Sequence, residues 1–238
     1  MDESSFSALL SRHKALEKAI LENTRCEDGM CVTAYTKIDI PRDDTTLMED
    51  LVRHEIYRTD ALEVFMDAHV SRMKRFARNH DPDVMYVFEC VFLQNHINEI
   101  ILKHDLDFDR MVTYFNTLLS AFSPLRPIIV HINMADVEAG IRHVTEERRT
   151  DDPSRYKDWI DLVKAYVAGT KHGASKGYAT DDGHLRYFKD RQDIELKLLD
   201  FLDCDVIRID LHDDHDTAYG DLVVALGEMG IGIRTQET

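Results

Sequence analysis

Glu89 interrupts, and Gln94 and Asn95 end, VMYVFECVFLQN, a nearly continuous apolar run over residues 84–95. A carboxylate and two amides there are candidate site residues, because ligands of open parallel sheets meet the protein at the carboxyl ends of strands. The competing reading makes Glu89 a paired structural carboxylate and lets the amides cap the next helix. A second group lies in IDLHDDHD: Asp210, His212, Asp213, Asp214, His215 and Asp216. Histidines and carboxylates at that density could ligate a divalent metal and support a metal-dependent hydrolase. The competing reading is a solvated loop of like charges, and no metal ligand is assigned. Cys26 and Cys31 could be half of a zinc site, but no second Cys or Cys-His pair has the required spacing. His131, inside PIIVHIN, reads as a core histidine rather than a base. Ser-His-Asp and Cys-His pairings rest on closeness in space, so none is legible here.

These groups need elements to position them. The run from Val84 is short and rich in aromatic and β-branched residues, the composition of a strand buried on both faces. PIIVHIN, residues 127–133, predicts a second buried strand. DVIRIDL, residues 205–211, predicts a third that alternates and so lies nearer an edge. Helices are expected over about residues 5–22, from Thr45 or Thr46, over 60–79, 97–103, 109–121, from Asp136, over 159–168, 185–201 and 217–229. The basic residues Arg72, Lys74, Arg75 and Arg78 gather toward the end of the 60–79 helix, where they complement its dipole. Asp28-Gly29 is a two-residue hairpin signal, which makes 24–38 a β-hairpin. Residues 169–183 read as loop, and the tail from Gly230 as frayed. Strands separated by helices imply an α/β fold with a parallel sheet and flanking helices. The whole chain reads as one domain, with the hairpin as an insertion.

Composition narrows the partners. Asp and Glu number 45 against 29 Lys and Arg, a net charge of −16. That opposes nonspecific binding to nucleic acid or to an anionic membrane. The 4 cysteines are sparse and read as buried thiols of a reduced protein. No apolar stretch approaches the roughly 20 residues of a membrane helix, and the polar N-terminus is unlike a signal peptide. A cytoplasmic location is the expectation.

Five motifs occur in a telling order: FECVFLQN at 88–95, PLRPIIVHIN at 124–133, EERR at 146–149, GASKGY at 173–178, and the Arg191-bearing helix before the last strand. Over roughly residues 5–228 the chain resembles bacterial thymidylate-kinase-like P-loop proteins. It departs from them in one respect. The strand, glycine-rich loop and helix of their Walker A unit are missing, and G-x-x-x-x-G-K-[ST] occurs nowhere in the sequence. Either Met1 is a late start on a longer protein, or this is a shortened member that has lost ordinary ATP chemistry.

The resemblance implies a P-loop-kinase-like core without its first strand, with Val84–Val91 and Pro127–Asn133 running in the same direction, adjacent or one strand apart. It implies ATP and Mg²⁺ as cofactors, with binding impaired here, and a nucleoside- or nucleotide-like acceptor. Glu89 would lie toward the substrate or Mg²⁺. Arg148 and Arg149, in a lid-like region over 146–183, would face the transferred phosphoryl group. Arg72 and Arg191 would bind phosphate, and Gln94 and Asn95 a base or sugar. The arginines are also open to reading as surface ion pairs, Arg148 and Arg149 with Glu146, Glu147, Asp151 and Asp152. The alternative function is a non-catalytic binding or regulatory protein on the same scaffold. The apolar gap left by the missing strand would favour a homodimer.

Overall fold

The computed structural model describes residues 1–41, 45–154, 156–180, 182–211 and 215–232. The chain folds as two compact units, residues 1–65 and 66–238.

In the first unit, Asp2 caps α1, Glu3–Arg12, by accepting from the backbone N–H of Ser5. A break at His13 separates it from α2, Glu17–Glu22, where one continuous helix is expected. Then β1, Thr24–Glu27, and β2, Met30–Thr33, pair antiparallel. Asp28 and Gly29 both take positive φ, 52° and 75°, as a tight primed turn requires. The turn sets Cys26 opposite Cys31, and the two form a disulfide. This corrects the expectation of four free buried thiols; Cys90 and Cys204 alone are free. Next is α3, Thr45–Val52. Phe6, Leu9, Ile20, Cys31, Ile38, Leu47 and Leu51 close the core of this unit.

Asp50 on α3 is buried, yet it accepts from His13 Nε2 at 2.8 Å and pairs with Arg12 and Arg53 at 3.3 and 3.4 Å. The His13 bond is the main reason its pKa lies below the ordinary carboxylate value.

Helix α4, Leu62–Arg78, leads into the second unit. The expected strand after it does not form. Residues 84–88 have no regular structure, and Cys90 turns left-handed at φ 58°. The physical reason lies in the side chains. Tyr86 and Phe88 pack edge-on against Phe76 of α4, with ring centroids 4.9 and 5.0 Å away. Val84, Met85 and Val87 are left exposed. Half of the apolar run is spent on a helix, and no sheet receives the other half.

Helix α5, Gln94–Glu99, runs into a π-helical turn, Ile100–His104, that ends at Asp105 with φ 46°. Asp107 caps α6, Phe108–Phe122, whose Tyr114, Phe115 and Leu118 are fully buried. The sheet is reduced to two strands. β3, Ile128–Met134, and β4, Asp205–Leu211, pair parallel from Ile128↔Asp205 to Met134↔Leu211. Among the described residues no third strand joins them. The interior strand expected at 127–133 is therefore an edge, with Val130 and Ile132 exposed.

Asp136 caps α7, Val137–Glu147. Helix α8, Trp159–Gly169, and the short α9, Lys171–Ser175, occupy the lid-like region; α9 falls where loop is expected. Two longer helices remain, α10, Gly183–Leu199, and α11, His215–Glu228. The fold is mixed α/β and mostly helical, a parallel strand pair with flanking helices plus the N-terminal hairpin. No helix among the described residues is long and apolar enough to cross a membrane.

Replacing Asp50 with Ala should destabilise the first unit by about 1–3 kcal/mol, since half-buried His13 loses its acceptor. Chemical denaturation of the variant against the parent checks this.

Candidate functional site

Helix α10 carries the polar residues that meet the sheet. Gln192 clamps the last residue of β3, accepting from the backbone N–H of Met134 at 3.2 Å and donating to its carbonyl at 3.0 Å. One turn along the helix, the buried Glu195 lies 3.4 Å from Nε2 of His131 on β3. Arg191 pairs with the other oxygen of Glu195 at 3.2 Å, and its guanidinium lies over Phe188, 5.3 Å from the ring centroid. His131 is a buried histidine held by a carboxylate, as its apolar context predicts.

Helix α5 packs against α10 and extends this network. The buried Tyr187 donates to Asn98, and burial pushes its phenol up to about 12. Glu99 accepts from Tyr166 and pairs with Lys103 at 2.8 Å.

Cys90 sits where the chain turns into α5. Its thiol donates to Gln94 Oε1 at 3.2 Å and lies 3.8 Å from Glu89 Oε1. Burial raises the thiol pKa first and Glu89 raises it further, with Glu195 pushing the same way and Arg191 the opposite way. The thiol stays protonated at neutral pH and is a poor nucleophile.

Glu89, Gln94 and Arg191 of the sequence candidates thus share one electrostatic neighbourhood around Cys90. Asn95 is half-buried on α5, and its side chain has no hydrogen-bond partner among the described residues. Neither amide caps α5, whose N-cap is Leu93.

Arg72 belongs to a different group. His69 of α4 and His96 of α5 are buried with ring centroids 4.2 Å apart, and His96 Nδ1 meets the Tyr114 hydroxyl at 2.8 Å. Burial lowers His69 to about 4, with the Arg72 charge adding to it. His96 is pushed down for the same reasons and by His69 itself.

Arg148 is also elsewhere engaged. It ends α7 with its guanidinium 5.5 Å from the Trp159 ring centroid, in the range of a cation–π contact. Arg149 follows it, exposed. Neither forms an ion pair among the described residues, so the acidic patch expected around them is not what holds them.

Of the 210–216 cluster, Asp210 accepts from Asn133 at 2.7 Å, while His212, Asp213 and Asp214 lie outside the described residues. Among the described residues no group of three His, Cys, Asp or Glu side chains could hold a metal ion. A hollow of about 490 Å³ on a neighbouring face of α10 is lined by Lys176, Tyr178, Asp190, Asp193 and Ile194. Tyr178 donates to Asp190 there at 2.6 Å.

The chemistry available around Cys90 is hydrogen bonding and charge, with no activated nucleophile. The sequence could not reveal the His69–His96 pair or Glu195, whose partners are distant in the chain. His69 and His96 stand in mixed polar and apolar sequence, MDAHVSR and LQNHINE, so no local signal marks them.

Both histidines of the pair are held neutral, so the sign of the acid response is fixed. Above pH 6.5 neither state binds a proton, and this part of the stability is complete. Between 6.5 and about 4 the unfolded chain takes up protons that native His69 refuses. Stability of the second unit should fall there by up to about 1.4 kcal/mol per pH unit for each histidine. His69→Phe should flatten the slope, measured by denaturation at a series of pH values. Compared with protein-family models, with curated proteins and with solved structures, the chain matches none of them.

Proposed function

We propose that this chain is a non-catalytic binding or regulatory protein on an α/β scaffold of P-loop-kinase type, with a nucleoside- or nucleotide-like small molecule as ligand. One observation carries the choice: the arginines that phosphoryl transfer would need are dispersed over separate groups. Arg191 answers Glu195, Arg148 covers Trp159, and Arg72 adjoins two neutral histidines. Catalysis of that transfer depends on concentrating positive charge on one moving group. The sequence also contains no G-x-x-x-x-G-K-[ST] loop to cradle a triphosphate with backbone N–H groups.

In this reading Glu89, Gln94 and Asn95 hydrogen-bond the base or sugar. The Arg191 donors left over from Glu195 face an anionic group. A cytoplasmic setting is part of the reading, and there the Cys26–Cys31 pair would be kept reduced.

The second reading is a nucleoside or nucleotide kinase. The order of the five motifs favours it. Glu89 would then serve Mg²⁺, and Arg148 and Arg149 would close over ATP.

Titration calorimetry separates the two. Thymidine and thymidine monophosphate should bind without Mg²⁺, and Arg191→Gln should weaken the monophosphate more than the nucleoside. Tight, Mg²⁺-dependent ATP binding would restore the kinase reading, and failure of both thymidine probes would end the binding one.

A further inference from the structure

We propose that the Cys26–Cys31 pair is a thiol–disulfide exchange site for a low-molecular-weight monothiol and its disulfide. The external sulfur bonds to Cys26 alone, and Cys31 completes the step from inside the core. The inference stands apart from the ligand reading and lies wholly within the first unit.

The two sulfurs of this one bond stand in opposite surroundings. Cys26 of β1 and Cys31 of β2 are directly opposed and bonded to each other, so their side chains leave the same face of the hairpin. Cys31 lies inside the core of the unit, 2% exposed, in one cluster with Phe6, Leu9, Ile20 and Ile38. Cys26 is exposed. The bond therefore runs from the core out to solvent. Exchange requires a thiolate to reach one sulfur while the other leaves, and access decides which sulfur is attacked. Cys26 can be reached from solvent. The packed side chains around Cys31 close the approach to it.

The hairpin has other means of keeping its register. The positive φ of Asp28 and Gly29 sets the turn. At the open end the Thr24 and Thr33 hydroxyls meet at 2.8 Å, and the backbone N–H of Ala34 donates to the carbonyl of Asn23 at 2.8 Å. The backbone N–H of Cys31 donates to the carbonyl of Met1 at 2.8 Å, and so points away from β1. Cys26 and Cys31 are thus a pair without mutual backbone hydrogen bonds, the kind whose side chains stand closest. With the bond reduced, these contacts keep the two thiols opposed and ready to close again.

In the reducing direction the monothiol's thiolate attacks Cys26 Sγ. A mixed disulfide forms, the Cys26–Cys31 bond breaks, and its electron pair leaves on Cys31 Sγ, which takes a proton. A second thiolate attacks the outer sulfur of the mixed disulfide and expels the Cys26 thiolate. Two monothiols are oxidised to their disulfide, and the protein pair gains two electrons. In the oxidising direction the Cys26 thiolate attacks the small disulfide and expels one thiolate. Cys31, as thiolate, then attacks Cys26 Sγ and expels the other. In a reducing compartment the resting form is the dithiol, and the disulfide is its oxidised form.

Exchange of the full-length oxidised chain with reduced glutathione, without denaturant, tests this. Samples are quenched with iodoacetamide, and the adducts are located residue by residue by mass spectrometry, which keeps Cys90 and Cys204 apart from the pair. Early samples should carry glutathione on Cys26 and the alkyl group on Cys31. Oxidised glutathione should restore the bond, with far-ultraviolet circular dichroism unchanged throughout. Cys31→Ala should retain glutathione on Cys26. In Cys26→Ser the remaining Cys31 should react with oxidised glutathione at least about tenfold more slowly than Cys26 does in Cys31→Ala, because it is buried. A bond that yields only in denaturant, glutathione found on Cys31, loss of dichroism on reduction, failure to close again, or equal reactivity of the two variants would each overturn the proposal.

Discussion

Glu195 sits on α10 with its carboxylate nearly out of water, between the imidazole of His131 and the guanidinium of Arg191. A parallel pair of strands has no independent stability and needs cover on its faces. Helix α10 supplies that cover on the His131 face, and Glu195 and Gln192 fix where it lies along β3. The pairing leaves little freedom. A buried carboxylate stripped of its partners is strongly destabilising, so Arg191 and His131 are tied to the fold before they are available for any ligand. The same arrangement explains why the charge around Cys90 is muted: the one guanidinium nearby is already answered.

The second unit uses its aromatic residues in place of a wider sheet. Phe76, Tyr86, Phe88 and Phe122 form a chain of edge-on rings between the end of α4 and the end of α6. The segment after α4 is thereby held by its rings and not by a hydrogen-bond ladder. Its remaining apolar side chains, with the open half of β3, give the unit two hydrophobic surfaces that a wider sheet would have buried.

Local signals were legible in the sequence where a short-range rule governs. Asp28-Gly29 predicts its turn, and Asp136 predicts the start of α7. The spacing of Met111, Phe115, Leu118 and Leu119 predicts the buried face of α6, and PIIVHIN and DVIRIDL predict β3 and β4. The Val84 run misled because an apolar run has the same composition whether it meets a sheet or an aromatic cluster; Phe76 decides, and nothing in the run names Phe76. The disulfide was missed because sparse cysteines suggested thiols, although the predicted turn already set Cys26 opposite Cys31. Of the candidate site, Glu89, Gln94 and Arg191 share a neighbourhood. The packing of Glu195 on β3 and the His69–His96 pair depend on helix placement that spacing alone does not encode.

Trp159 is the single tryptophan of the chain, and it lies half-buried at the start of α8 beneath the Arg148 guanidinium. Ultraviolet emission from this protein therefore comes from one indole at one helix end. A compound that moves Arg148 announces itself without a label. The first 65 residues contain no tryptophan and are dark in that channel. Far-ultraviolet dichroism sees both units, so the distance between the two melting traces measures how independently the halves of the molecule come apart.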